Sequence, residues 1–305
     1  MTLNTDTNRL PQETANSLLR WATRISVGVA AVLIVVKLLA WVLTDSVAIL
    51  SSLIDSVLDA GASVVNLVAV AHSLTPADRE HRFGHGKAEP LAGMAQAAFI
   101  SGSAVFLLFE AGHRLISPRP IASGEIGIAV MLFSIVATLA LVTFQRYVVR
   151  RTGSVAISAD SLHYKGDLLA NAGVILALIL SSNLGWVYAD PILAAAVAFY
   201  ILIGAWGIVR LSLDQLMDRE LPDEQRERIR AIALAHAEVQ DVHDLRTRSS
   251  GNQTFIQLHL ELDGGMALHR AHDIADTVEL QIMQEFPGAE VIIHEDPAGI
   301  DETHP

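Results

Sequence analysis

Six long apolar stretches dominate the first 217 residues and constrain the fold of this chain more than any other feature. A helix needs about 20 mostly apolar residues to cross the hydrocarbon core of a bilayer, and each stretch is long enough. The predicted spans are residues 25–44, 47–70, 90–116, 126–147, 155–180 and 191–211. We therefore expect an α-helical membrane protein with six transmembrane helices.

Charge is scarce and unevenly distributed along the chain. Only 18% of the residues are charged, against about 25% in a typical soluble domain. Residues 218–305 hold 19 Asp/Glu and 7 Arg, and their net charge of −12 equals that of the whole chain. This break predicts a polar N-terminal tail (1–20), a six-helix transmembrane domain (21–213) and an acidic domain (214–305). An acidic domain attracts cations, and its sign argues against nucleic-acid binding.

Basic residues indicate the orientation of the helices. They occur on one side, in the connections between spans 2 and 3 and between spans 4 and 5, and next to both termini: Arg20, Arg24, Arg79, Arg82, Lys87, Arg146, Arg150, Arg151, Arg210 and Arg219. On the other side, only Arg114 and Arg119 flank a loop. The positive-inside rule therefore predicts that both termini and the acidic domain are cytoplasmic. The first 19 residues lack an apolar core, so we expect no cleaved signal peptide.

The acidic domain has the pattern of a small α/β fold. Residues 222–237 and 267–286 read as helices, and residues 242–248 and 254–262 read as a hairpin joined by a Ser-Ser-Gly-Asn turn. Residues 290–294 form a last strand rich in Val and Ile. The order α-β-β-α-β predicts a metallochaperone-like domain, with one sheet and its helices on one face.

Two pairs of ionisable residues interrupt the apolar spans. Asp55 and Asp59 lie four residues apart in the second span, and His163 and Asp167 have the same spacing in the fifth. Such pairs share one helical face, and a charge at bilayer depth costs at least about 2.5–3.5 kcal/mol, so it needs a partner or a role. Three carboxylates and one imidazole suit a tetrahedral zinc ion. Either pair alone could also be a polar patch facing a neighbouring helix. Lys37, in the first span, either snorkels to the interface or pairs with an acid.

Two further groups of potential metal ligands lie outside the spans. Asp78, His81 and His85 follow the second span and could bind a metal at the cytoplasmic surface, or could be incidental residues of a polar loop. Seven of the twelve histidines lie in the acidic domain, and we take His236, His269 and His304 as surface residues. The remaining candidates there are His243, His259, His272, His294 and Asp296. The chain has no cysteine, so any metal must be held by His, Asp or Glu, which suits zinc, iron(II), cobalt and manganese.

Several stretches together resemble the cation diffusion facilitator family, and most closely its bacterial YiiP-like branch of ferrous-iron and zinc efflux proteins. The resemblance covers residues 15–298. The matching stretches are Asp55-Ser-Val-Leu-Asp59, Phe83-Gly-His-Gly-Lys-Ala-Glu89, Leu162-His-Tyr-Lys-Gly-Asp167, His243-Asp-Leu-Arg-Thr-Arg248 and Val291-Ile-Ile-His294.

The resemblance implies roles for these residues. It makes Asp55, Asp59, His163 and Asp167 a transport site, and Asp78, His81 and His85 a second site in the loop between spans 2 and 3. It makes His243, His259, His272, His294 and Asp296 a binuclear cytoplasmic site, whose charge Glu295 would change. Lys87 and Asp218 match a charge pair that ties the membrane domain to the tail at the dimer interface. Family members are homodimers that exchange metal for protons.

We therefore expect a homodimeric exporter in the lipid bilayer of the bacterial inner membrane that exchanges a divalent cation for protons and is regulated by metal binding to its tail. Zinc is the first choice of cargo, with cadmium, iron(II) and cobalt also suited, and His163 argues against manganese. We expect no enzymatic activity. The alternatives are a metal-responsive receptor, a transporter that couples protons to an organic solute, and an intramembrane metalloenzyme. The last would need a motif such as His-Glu-x-x-His, which the chain lacks.

Overall fold

The computed structural model describes residues 10–116, 125–186 and 188–299. Its first six elements are helices: α1 (Gln12–Thr44), α2 (Val47–Ser73), α3 (Ala88–Ile116), α4 (Glu125–Thr152), α5 (Val155–Leu184) and α6 (Ala189–Leu216). Within the described residues, all six are long and apolar enough to cross a membrane, as predicted from the sequence. Two residues named above lie outside the described residues: Arg119, which was used to predict the orientation, and His304, which was taken as a surface histidine.

The first helix begins at Gln12, well before the predicted start of the first apolar span at residue 25. In this early segment Leu19 and Ala22 are fully buried, in a cluster with Val70, Val148 and Ile157 from three other helices. Part of the predicted N-terminal tail is therefore helical and packed. A search for lipid-facing stretches misses such an extension because polar residues cover its outer face.

Glycines let the membrane helices approach closely. A Cβ atom placed on Gly93 of α3 would lie 2.8 Å from Cγ1 of Val155 and 3.2 Å from Oγ of Ser212. A Cβ on Gly204 of α6 would lie 2.7 Å from a methyl group of Leu162 on α5. Small residues at such crossings are typical of helix packing in membranes, where close backbone contact replaces the hydrophobic effect.

We expect Gly93→Ala to destabilise the membrane domain by about 1–3 kcal/mol, because the added methyl group overpacks against a β-branched side chain that cannot turn away. Gly102 of the same helix is a matched control, since a Cβ there meets no atom within 4 Å. Gly102→Ala should be neutral or slightly stabilising because alanine favours the helix. Thermal unfolding midpoints in detergent test this prediction, and equal midpoints for the two variants would contradict it.

The second compact unit of the chain consists mainly of the residues from Asp214 onward. It contains α7 (Asp223–Leu234), β1 (Asp241–Ser250), β2 (Gln253–Leu262), α8 (Leu268–Glu285) and β3 (Ala289–Pro297). This is the predicted α-β-β-α-β order. β2 is the central strand of the sheet, antiparallel to β1 and parallel to β3, and the hairpin turns at Gly251, whose φ is 58°.

The two faces of this sheet differ in composition. Ile256, Leu258 and Leu260 of β2 pack with Ile229 of α7 and Ile274 of α8, so both helices cover the same face. Successive side chains of a strand point to opposite faces. His259 therefore lies on the face away from the helices. There it is opposite His243 of β1 and His294 of β3, because the strand register aligns the three histidines.

Candidate metal centres

Helices α2 and α5 bring together three of the four residues predicted for the transport site. Nε2 of His163 lies 2.9 Å from Oδ1 of Asp59 and 3.7 Å from Oδ2 of Asp167. Ligand atoms of the three residues all lie within 4.8 Å of one another. His163 is buried and the two carboxylates are partly exposed. This group could hold one divalent cation, with a coordination position left for a further ligand.

Asp55 lies outside this group of three. It occupies the preceding turn of α2 and is exposed in the single chain. Residues four apart on a helix are neighbours on one face, so Asp55 lies beside Asp59 on α2. Its role as the fourth ligand stays a prediction.

The first turn of α5, which leads to His163, is fixed by two capping groups. The Oγ of Ser154 accepts a hydrogen bond from the backbone N–H of Ile157. The buried carboxylate of Glu89, on α3, accepts one from the backbone N–H of Val155 at 2.9 Å. A carboxylate at a helix N-terminus satisfies free donors and complements the helix dipole. Glu89 thereby joins α3 to the helix that carries His163 and Asp167.

A buried polar network that was not predicted from the sequence lies one turn from the transport site. Oδ2 of Asp160 on α5 accepts hydrogen bonds from Ser26 of α1 and Gln145 of α4, both at 2.7 Å. Ser26 also contacts Ser63 of α2, whose hydroxyl is 2.9 Å from that of Tyr164. Four helices thus meet around Asp160. The ionisable residue itself was visible in the sequence, but its partners are ordinary polar residues on three other helices.

The predicted loop residues Asp78, His81 and His85 form the second group. Oδ2 of Asp78 lies 3.3 Å from Nε2 of His85, and Oδ1 lies 3.4 Å from Nδ1 of His81. Oδ1 also accepts backbone hydrogen bonds from His81 and Glu80. These N–H donors, that of His81 first, hold the pKa of Asp78 below its usual range. Asp78 therefore offers an ionised carboxylate beside two imidazoles.

His72, on the last turns of α2, adds a third imidazole near this loop. Its ring centroid lies 4.7 Å from that of His85, in an edge-on arrangement. The sequence alone does not indicate this neighbour, because its approach to His85 depends on how the loop folds back onto α2.

The third group lies on the open face of the tail sheet. Oδ2 of the buried Asp296 lies 2.8 Å from Nδ1 of His259 and 3.1 Å from Nε2 of His243. Its other oxygen, Oδ1, lies 3.1 Å from Nε2 of His294. Each oxygen of one carboxylate therefore faces different imidazoles. This geometry suits a carboxylate that bridges two cations.

Two further carboxylates border this tail group and were not predicted. Oδ2 of Asp244 lies 3.7 Å from Nε2 of His259, and Oε1 of Glu261 lies 3.5 Å from Nδ1 of His243. Asp244 reaches this position through a left-handed backbone (φ 44°), where the pairing of β1 with β2 shifts register. Glu295 follows His294 on β3, so it points to the opposite face of the sheet.

His272, predicted for the tail site, is not part of the group described there. His272 on α8 is exposed, and its Nε2 lies 3.7 Å from Oδ2 of Asp276. Asp218 accepts a hydrogen bond from Arg248 within the tail. A role for His272 in the tail site and a pairing of Asp218 with Lys87 stay predictions.

Fold and sites together define a multi-pass membrane protein with ligand groups inside its spanning helices and a histidine-rich α/β tail. The chain belongs to the cation efflux, or cation diffusion facilitator, family. The model of the cation efflux transmembrane domain matches residues 23–217, and that of the cation efflux protein cytoplasmic domain matches residues 221–298.

Curated relatives match over nearly the whole chain. The cation-efflux pump FieF of Shewanella oneidensis is 48% identical over 282 residues, which cover 92% of this chain and 95% of that protein. FieF of Escherichia coli K12 is 47% identical over 273 residues, covering 90% and 91%. A solved structure, the metal-bound C-terminal domain of the CzcD transporter from Thermotoga maritima, is 28% identical, covers 26% of this chain and 93% of its own, and has a TM-score of 0.25. The relatives' names describe efflux pumps rather than enzymes.

Proposed function

We propose that this protein is a proton-coupled antiporter that exports a divalent metal cation from the cytoplasm. The observation that carries the proposal is the group formed by Asp59, His163 and Asp167 within two spanning helices. Ionisable residues inside a membrane are costly and mark ion pathways. Membership of the cation efflux family supports export as the direction of transport.

Metal and protons compete for the same atoms in this site. A carboxylate or an imidazole must be deprotonated before it can coordinate a cation, so binding of the metal releases protons. A cation entering from the cytoplasm therefore displaces protons from His163 and its neighbouring carboxylates. When the site opens to the more acidic side, protonation of the same ligands drives the metal out.

The ligand chemistry favours zinc as cargo. One imidazole and several carboxylates also suit cadmium, iron(II) and cobalt, whereas a site of oxygen ligands alone would favour manganese. Under this proposal the protein lies in the bacterial inner membrane with both termini in the cytoplasm. It works as a homodimer, and Lys87 and Asp218 tie the membrane domain to the tail.

Accumulation of labelled zinc inside vesicles separates transport from its rivals. Vesicles that contain the wild-type protein should accumulate zinc above protein-free vesicles, and cadmium, iron(II) or cobalt should compete. A metal-responsive receptor would bind zinc at the tail and move none. Failure of all four metals to enter the vesicles would replace the transporter proposal with the receptor.

The tail site is proposed to sense cytoplasmic metal. When metal is abundant, cations would be coordinated by His243, His259, His294 and Asp296. The tail ordered by this binding would favour transport. We expect Asp296→Asn to raise the zinc concentration for half-maximal uptake by roughly tenfold. Both oxygens of the Asp296 carboxylate face histidines of the site, so its loss weakens zinc binding on both sides. His269→Ala is the matched control, since His269 is 89% exposed on α8. An unchanged zinc response in Asp296→Asn, with zinc binding to the tail lost, would contradict the sensor role.

A further inference from the structure

One charged group inside the spanning helices has no part in the mechanism above. Lys37 of α1 is only 8% exposed. Its Nζ donates hydrogen bonds to the backbone oxygen of Ser52 at 3.1 Å and to Oγ of Ser56 at 2.7 Å, both on α2. A lysine that snorkels carries its ammonium group to the aqueous interface. The burial of Lys37 and its bonds to α2 show that this one stays inside the helix bundle.

The two hydrogen bonds do not by themselves explain a lysine. Any neutral donor could bond Ser52 and Ser56, and a charge within a membrane needs further compensation. In the described part of the chain no carboxylate oxygen comes within the 4.0 Å of an ion pair with Lys37. Its partner Ser56 directly follows Asp55 on α2 and lies three residues before Asp59, so the bond places the ammonium group near the carboxylates of the transport site. Asp167 of α5 belongs to the same group as Asp59.

The charges of these groups balance when a divalent cation is present. The three carboxylates carry three negative charges, a divalent cation brings two positive charges, and Lys37 brings the third. Without Lys37 the loaded site would keep one net negative charge in surroundings that disfavour isolated charges. Lys37 is also held by α2 at a distance, so it adds its field to the site without occupying a coordination position.

We propose that Lys37 is a fixed positive charge of the transport site, which weakens the hold of the three carboxylates on a divalent cation so that the cation can be released. This inference rests on the proposed transport function. It makes Lys37 a residue that sets affinity through its field rather than a metal ligand. The rival role is a purely structural pin between α1 and α2.

The two roles predict different zinc affinities for a variant that loses the charge of Lys37. Lys37→Gln keeps a hydrogen-bond donor and removes the charge, whereas Lys37→Arg keeps the charge. At an effective dielectric constant near 20, a unit charge several ångströms from a divalent cation changes the affinity by more than about tenfold. A fixed charge therefore predicts that Lys37→Gln binds zinc at least about tenfold more tightly, while Lys37→Arg stays within about threefold of wild type. A structural pin predicts that Lys37→Gln binds zinc no more tightly, or less tightly, than wild type.

The test is equilibrium zinc binding to the full-length protein in detergent, measured by competition with a chelating dye. The transport site is identified as the zinc site that Asp59→Asn removes. Ser56→Ala, which removes one partner of Lys37 and leaves its charge, should stay within about threefold of wild type. Tighter binding in Ser56→Ala equal to that in Lys37→Gln, or no gain in Lys37→Gln, would overturn the proposal. Since binding requires no transport, wild-type protein that binds zinc at this site but fails to move it would contradict the proposed function alone.

Discussion

Asp59→Asn is expected to lower the initial rate of zinc uptake by at least about 100-fold, more than the loss typical of residues that only support a metal ligand. Asp59 is central to the intramembrane group, because its Oδ1 lies 2.9 Å from Nε2 of His163. Asparagine has nearly the same shape but lacks the negative charge that attracts a cation. The measurement is the initial rate of uptake into proteoliposomes at matched protein content.

Asp45→Asn is the matched control for this variant. Asp45 lies in the connection between α1 and α2 with a φ of 50°, a backbone conformation that asparagine also tolerates. The same chemical change is made there without touching the site. Transport in Asp59→Asn equal to that in Asp45→Asn would contradict a role for Asp59 in binding the cargo.

Asp160→Ala is expected to destabilise the membrane domain by about 3 kcal/mol, because it leaves the buried side chains of Ser26 and Gln145 without their acceptor. For a domain of this size, such a loss lowers the thermal unfolding midpoint by roughly 6–12 °C. Four helices meet at this network, so the loss should appear in the cooperative unfolding of the whole membrane domain. Midpoints measured in one detergent test the prediction.

Asp160→Asn separates the hydrogen bonds from the charge. Asparagine keeps an oxygen that can accept from Ser26 and Gln145, so we expect its midpoint to lie between those of the wild type and Asp160→Ala. A midpoint of Asp160→Ala equal to that of the wild type would show that the network contributes little to stability.

Periodicity and composition were enough to predict the elements of this fold. Spans appear as apolar runs, and the tail elements appear as alternating or helical patterns bounded by turn residues such as Gly251. Only the ends of the elements differ from the prediction, and the largest difference is at α1, which begins at Gln12. Its early residues pack through Leu19 and Ala22, and such tertiary burial is not visible in an average over apolar residues.

The sites were predictable to the extent that their ligands share one element or adjacent strands. The i, i+4 spacing places His163 and Asp167 on one face of α5, and strand pairing places His243 beside His259. The rotation of α2 against α5 is set by packing between helices, so the sequence could not show that Asp59 would contact His163 while Asp55, one turn earlier, would lie outside the group. The sequence also could not show which residues bond to Asp160, because these partners come from distant segments of the chain.

Zinc uptake driven by a pH gradient tests the proposed proton coupling most directly. Proteoliposomes with an acidic interior and a neutral exterior should accumulate zinc faster than vesicles without a gradient, and His163→Ala and Asp55→Ala should abolish the difference. Zinc uptake that is unaffected by the gradient in the wild type, or that persists with gradient dependence in both variants, would contradict proton exchange at this site.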